Sequence, residues 1–487
     1  MSSAAAGHGI GGAPRAAIPA AVALGLLVAF VVAGSLDPAP LVIGAAAAAG
    51  AVALVLRVEW ALPVMAVFSV LRLANVATES HGAPSLFQPL LIVVAFGVLA
   101  RWLHTRERPG DGLRIAVLAG GFVLVAAASL LAAGGSAAAS ADFESLSKDA
   151  VLAVLAGMLL RGPTDLRRVI WVMVASGAAL ATLSAYQFAT GDFDQTFLGF
   201  ARSSVENIVD TTDDVRVSGP IGDPNYYGQL LVMLLPLALD RLWTERTRIL
   251  RWAAGYAAAA MTAAILFTFS RGAAVALLVV AALMLVKHPP SKRAVVTVVV
   301  IAVVALPFLP DGYVARLTTL GQVGTVESTT DASIRARTSE LAAGVGMFLD
   351  HPLAGIGYGT FADNYLNYTR GTGIEQVLKA REAHNLYLEI AAETGVLGIV
   401  AFGALAAGTF AAAARSRRRL LDAGRRRLAN TCYAIGVSLV GYYLTSVFLH
   451  MDFARPYWLL TGIALALPGV ASAAVRDEAP AREAAWR

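Results

Sequence analysis

Four short stretches of this chain carry residue types that could do chemistry. Arg216-Val-Ser-Gly-Pro-Ile-Gly-Asp-Pro-Asn225 holds an arginine and an asparagine around two turns. Ser270-Arg271-Gly272 and Arg335-Ala-Arg337 each hold arginine. His384-Asn385-Leu-Tyr387-Leu-Glu389 runs into Glu393-Thr-Gly395. A guanidinium fork binds anionic oxygens through bidentate, charge-assisted hydrogen bonds. Histidine has the pKa for general-base work near neutral pH. Several arginines with one histidine, and no carboxylate cluster, suit transfer from a diphosphate. No His-rich or Asp-rich set stands at metal-ligand spacing, so neither a metal nor a cofactor is expected.

Each stretch also has a plainer reading. The Gly-Pro-Ile-Gly-Asp-Pro-Asn run could be a turn with Asp223 or Asn225 capping a helix. Arg271 could mark a membrane interface by snorkelling. Arg335 and Arg337 could line a solvated helix face, and His384 could be a satisfied loop histidine. Glu389 and Glu393 lie in an otherwise apolar run, where ionisable groups are costly and tend to be functional.

The elements that must position these residues are membrane helices. Of 487 residues, 57% are hydrophobic and 15% charged, against roughly 45–50% and 25% in soluble domains. About fourteen runs are long enough to span a bilayer: 17–34, 38–56, 58–76, 86–103, 113–133, 145–161, 168–189, 224–241, 250–269, 271–287, 293–309, 385–414, 428–450 and 455–475. The pair 250–269 and 271–287 is either a tight hairpin or a broken re-entrant pair. The fold expected is an all-α, polytopic helical bundle forming one membrane domain over 1–487.

The net charge of +5 does not point to nucleic acid, because the arginines sit in short loops between apolar runs. Arg101 to Arg114, Arg161 to Arg168, Arg241 to Arg251, Lys287 to Arg293 and Arg415 to Arg427 fall on every second loop. Positive loops stay inside, which puts both termini in the cytoplasm and all four stretches outside. The first apolar run has no small-residue cleavage site before a polar mature domain and is read as a span. One cysteine, Cys432, allows no internal disulfide. Two outer loops are long, 190–224 and 310–384. The larger contains a helix-like stretch from Ala332 to Leu349, stopped at His351-Pro352 and followed by Gly355, Gly357 and Gly359.

At these residues the chain resembles the O-antigen ligase and O-antigen polymerase superfamily of bacterial membrane glycosyltransferases, over roughly residues 200–410. His384 followed by ten residues and Gly395 is the most specific element. Phe269-Ser270-Arg271-Gly272-Ala273 is similar to the family's Ser-Arg-Gly segment. Arg337, ahead of Asp350-His351-Pro352, is similar to its second arginine, with Arg335 the neighbour that could be confused with it.

The resemblance implies a GT-C-type fold and metal-independent transfer of a glycan from undecaprenyl pyrophosphate to an acceptor hydroxyl outside the cytoplasmic membrane. Arg271 and Arg337, helped by Arg216, would hold the diphosphate, and His384 would be the base. Asn225, Asn385, Tyr387, Glu393 and Arg335 would contribute to substrate binding. Expected partners are the lipid-linked glycan, the acceptor, the bilayer and a chain-length regulator. A polysaccharide polymerase or surface-glycan ligase fits an Ala-, Gly- and Arg-rich, lysine-poor chain. A protein O-oligosaccharyltransferase shares the motifs. A lipid-linked oligosaccharide flippase is the reading from another class; it would place its charges near the bilayer midplane, in related halves.

Overall fold

The computed structural model describes residues 50–106, 112–209, 212–288, 332–370, 380–450 and 455–476. A short helix, α1 (Gly50–Leu56), and a 3-10 turn lead into α2 (Ala61–Val70) and α3 (Leu73–His81). Then come α4 (Phe87–Thr105), α5 (Gly112–Ala133), α6 (Ala137–Leu159) and α7 (Pro163–Thr190). A hairpin of β1 (Arg202–Val209) and β2 (Thr212–Gly219) precedes α8 (Pro224–Thr244), α9 (Arg248–Phe267) and α10 (Arg271–Lys287). The last five helices are α11 (Ala332–Asp350), α12 (Phe361–Thr369), α13 (Leu386–Asp422), α14 (Arg426–Thr445) and α15 (Arg455–Arg476).

The helix starts follow from their sequences. Ser136, Asp223, Ser270 and Asn385 cap α6, α8, α10 and α13 with side-chain oxygens. Proline opens α7 and α8, where its missing N–H leaves no donor unpaired.

Among the described residues, six helices are long and apolar enough to cross a membrane: α4, α5, α7, α9, α13 and α15. The pair Gly50–Leu56 and Val58–Val70, bent by 107°, would make a seventh. In α15, 72% of the apolar window is buried inside the protein, against 33% in α5 and α9. It therefore runs through the middle of the bundle, while α5 and α9 form its wall. Leu113, Val117, Leu124 and Leu131 are all exposed along α5, an apolar stripe that suits lipid rather than water. The protein is a multi-pass helical membrane protein.

Several expected spans differ. Runs 17–34, 293–309 and most of 38–56 lie outside the described residues, as do positions 310–331 of the large loop. The run 58–76 is not one helix: Arg72 adopts a left-handed φ of 51° and divides α2 from α3. Runs 224–241 and 271–287, and positions 145–159 and 428–445 of two others, are helical, as α8, α10, α6 and α14, but fall outside the six. The loop 190–224 contains the antiparallel β1–β2 hairpin, which periodicity did not reveal.

Candidate active site

One end of α8 assembles the arginine stretches. Asp223, rather than Asn225, is the N-cap, accepting from the backbone N–H groups of Asn225 and Tyr226 at 2.7 and 3.1 Å. Asn225 instead accepts from Arg216 Nη2 at 3.1 Å. Arg216 is buried in β2, and its Nε donates to the Thr268 carbonyl at 2.8 Å. That carbonyl belongs to the turn between α9 and α10, where Phe269 takes a left-handed φ of 49°. A bulky residue held there stores local strain, of a kind that clusters at working sites. Helix α10 packs on α8 and α14 and touches α9 only slightly, so the break is a turn between two arms that both pack on α8. Arg271 is the first residue of α10, half-buried, with no hydrogen bond or ion pair among the described residues.

The second arginine approaches from α11. The Arg337 guanidinium lies 5.6 Å from the centre of the Phe448 ring. A Cβ on Gly272 would stand 2.8 Å from the same ring. Phe448 thus separates the start of α10 from Arg337. Arg335 is on the same helix, and its side chain lies outside the described residues.

The glycines after α11 have a mechanical reason. Helix α13 breaks at Gly395, at φ 61° and ψ −160°. The break frees the carbonyls of Ala392 and Glu393, which accept from the N–H groups of Ile356 and Gly357 at 2.9 and 3.2 Å. In return Val396 N–H donates to the Pro352 carbonyl at 2.8 Å. A Cβ at Gly395 would meet the Leu353 backbone at 2.5 Å, so only glycine fits this crossing. Glu393 is buried, and its two oxygens accept from the Gly359 and Phe361 N–H groups at 2.9 and 3.0 Å. The carboxylate caps the turn into α12.

His384 stands just before α13 at a left-handed φ of 43°. Its Nδ1 is 3.1 Å from the Glu382 carbonyl oxygen and 3.4 Å from Glu340 Oε2. The Glu340 carboxylate, first as a hydrogen-bond partner and then as a charge, holds the imidazole above its ordinary pKa; burial and the Arg337 charge oppose it. Edge-on to His384, at 5.3 Å between centres, is the ring of His450. His450 Nδ1 is 2.5 Å from the Tyr226 hydroxyl on α8. Asn385 donates to the Val447 carbonyl at 3.0 Å and caps α13. The Tyr387 hydroxyl donates to the Tyr443 carbonyl at 2.8 Å. The turn 446–450 is therefore the hub that ties α8, α10, α11 and α13 together.

Residues 256–403 match the family model described as O-antigen ligase. Over these residues the chain is similar to the O-antigen ligase superfamily. No curated protein matches it. The ligase region takes in Arg271, Arg337, His384 and Gly395. It leaves outside Arg216, Asn225 and the hub turn, which the fold brings to it.

Glu340, Tyr226, Phe448 and His450 were not legible as site residues in the sequence. Glu340 did leave a signal, since it follows Arg337 by three residues and so shares its helix face. His450 left none beyond ending an apolar run. The fold also brings acidic residues to one cavity. Asp142, Tyr358, Glu382, Glu389, Glu393 and His450 line a cavity of about 160 Å³. These acids are scattered in the chain and meet only because α6, the glycine turn and α13 converge.

Proposed function

We propose that this end of the bundle transfers a glycan from undecaprenyl pyrophosphate to an acceptor hydroxyl on the extracytoplasmic face, as a polysaccharide polymerase or surface-glycan ligase of the inner membrane. The observation that carries the reading is Arg271. It is a half-buried guanidinium at a helix N-terminus, with no partner among the described residues. Cation and helix dipole both favour an anion there. Arg337 adds a second positive charge beside His384.

The acceptor O–H gives its proton to His384 Nε2 as its oxygen attacks the anomeric carbon. The bond from that carbon to the diphosphate oxygen breaks, and its electron pair leaves with undecaprenyl diphosphate. Arg271 and Arg337, with Arg216 supporting the turn, stabilise the charge that grows on that leaving group. The acid-lined cavity beside His450 repels anions and offers acceptor oxygens to sugar hydroxyls, which suits the acceptor side. The arginine-rich ends of α7, α8 and α13 lie away from this site, consistent with a cytoplasmic location.

The test is turnover of a synthetic undecaprenyl diphosphate-linked oligosaccharide by purified protein. Wild type is expected to yield transferred or lengthened glycan, and His384→Ala to lose at least about 100-fold in rate. Wild-type turnover by His384→Ala would exclude the base role. The linkage of the product separates polymerase from ligase.

A further inference from the structure

Glu340 lies one helical turn beyond Arg337 on α11 and is only 2% exposed. Its Oε2 atom makes no short, well-aligned hydrogen bond among the described residues. A carboxylate oxygen desolvated in this way is costly unless charge or a donor faces it. Two groups do, both from the connector before α13: His384 Nδ1 at 3.4 Å and Arg381 Nη1 at 3.8 Å.

The second contact of His384 settles which nitrogen is which. A carbonyl oxygen can only accept, so the 3.1 Å contact with Glu382 puts the hydrogen of the neutral ring on Nδ1. Nε2 is then the basic nitrogen, and it makes no hydrogen bond among the described residues. The left-handed backbone at His384 presents the ring in this way. A buried carboxylate behind a histidine is the usual means of fixing its tautomer and supporting the imidazolium, without taking the proton itself.

We propose that Glu340 is the positioning residue of His384: it holds the ring with Nδ1 protonated and Nε2 open to the acceptor hydroxyl, and it balances the positive charge once Nε2 has taken the proton. The inference rests on His384 being the general base. Every charged group around the ring enters the balance. Glu340 and Arg337 face it from α11. Arg381 and the Glu382 carbonyl lie on its own connector. His450, bonded to Tyr226, meets it from the hub turn. The carboxylate wins that balance, since the pKa of His384 is raised.

The experiment compares wild type, Glu340→Gln and Arg381→Gln in detergent, with two readouts. The first is an NMR titration of the His384 ring in histidine-labelled protein, assigned by its loss in His384→Ala. The second is the pH profile of glycan transfer from the synthetic lipid-linked donor. Glu340→Gln keeps the shape and removes the charge. It is expected to lower the His384 pKa, move the acidic limb of the profile to lower pH, and cut the plateau rate about 10- to 100-fold. Arg381→Gln, which removes the other cation beside Glu340, is expected to move neither to lower pH. An unchanged His384 pKa in Glu340→Gln overturns the proposal, as does an equal fall in both variants. A lowered pKa with an unmoved acidic limb would uphold the pairing and overturn the base role, so the two ideas fail separately.

Discussion

The two ends of α8 handle arginine in opposite ways. At its C-terminal end Arg241 meets Asp240 at 2.5 Å, Glu245 at 3.4 Å and Thr431 at 2.6 Å. Arg167 forms a two-pronged pair with Glu245 at 2.8 and 3.0 Å, and Trp171 donates to the same carboxylate. At its N-terminal end, Arg216 binds a carbonyl and an amide oxygen, and Arg271 binds nothing among the described residues. Helix α8 has 21 residues, which separates the two ends by roughly 30 Å at 1.5 Å per residue. A buried charge is stable only when compensated. The compensated end is scaffold, and Arg271 is left with its charge available for an incoming anion.

Substitution at each end breaks or sharpens this contrast. The largest effect is expected for Arg271→Ala, a loss of about 100- to 1000-fold in transfer rate, with stability changed by no more than about 0.5 kcal/mol because no internal partner is lost. Turnover kinetics and thermal unfolding of one purified sample report both numbers. Unchanged turnover would place Arg271 with the scaffold.

Glu245→Ala is expected to do the reverse. It removes the carboxylate that Arg167 and Trp171 share and leaves Arg241 only Asp240 and Thr431, costing about 2 kcal/mol, while protein that stays folded keeps its rate. Glu245 also gives this end a pH signature. Burial alone would raise its pKa, but hydrogen bonds from Arg167 and Trp171 and the charges of Arg167 and Arg241 hold it below the ordinary carboxylate value. Its stability contribution is therefore present above about pH 4.5 and lost as pH falls.

The smallest effect lies at the active end and runs the other way. His384 has a raised folded pKa, so its pairing with Glu340 contributes stability fully present below 6.5 and lost as pH rises through the raised value. Transfer should instead rise over that window, because the base must be neutral. Melting temperatures of wild type and Glu340→Gln at about pH 5.5 and about pH 9 are expected to differ more at the lower pH. An equal difference at both would remove His384 from the stability balance.

Much of the fold is legible in the chain because a bilayer permits little else: apolar runs must be helices whose backbone groups bond internally. The stop at His351-Pro352 is a local event, decided by neighbouring residues, whereas the break at Gly395 inside the run 385–414 is set by its crossing with Pro352 and Leu353. The division at Arg72 and the β1–β2 hairpin were not legible, because packing against other elements selects them over local preference.

The same boundary runs through the site. Residue types and spacing within 256–403 carry the likeness to the O-antigen ligase family and singled out Arg271, Arg337 and His384 as candidates. Tertiary structure alone decided that Glu393 caps a turn, that Glu340 stands behind His384, and that Phe448 and His450 arrive from another helix end. Local motifs arise from short-range geometry, which the chain carries with it. The electrostatic balance around each group depends on what the fold brings within a few ångströms, and these partners are 32 to 111 residues apart in sequence, from Phe361–Glu393 to Arg337–Phe448.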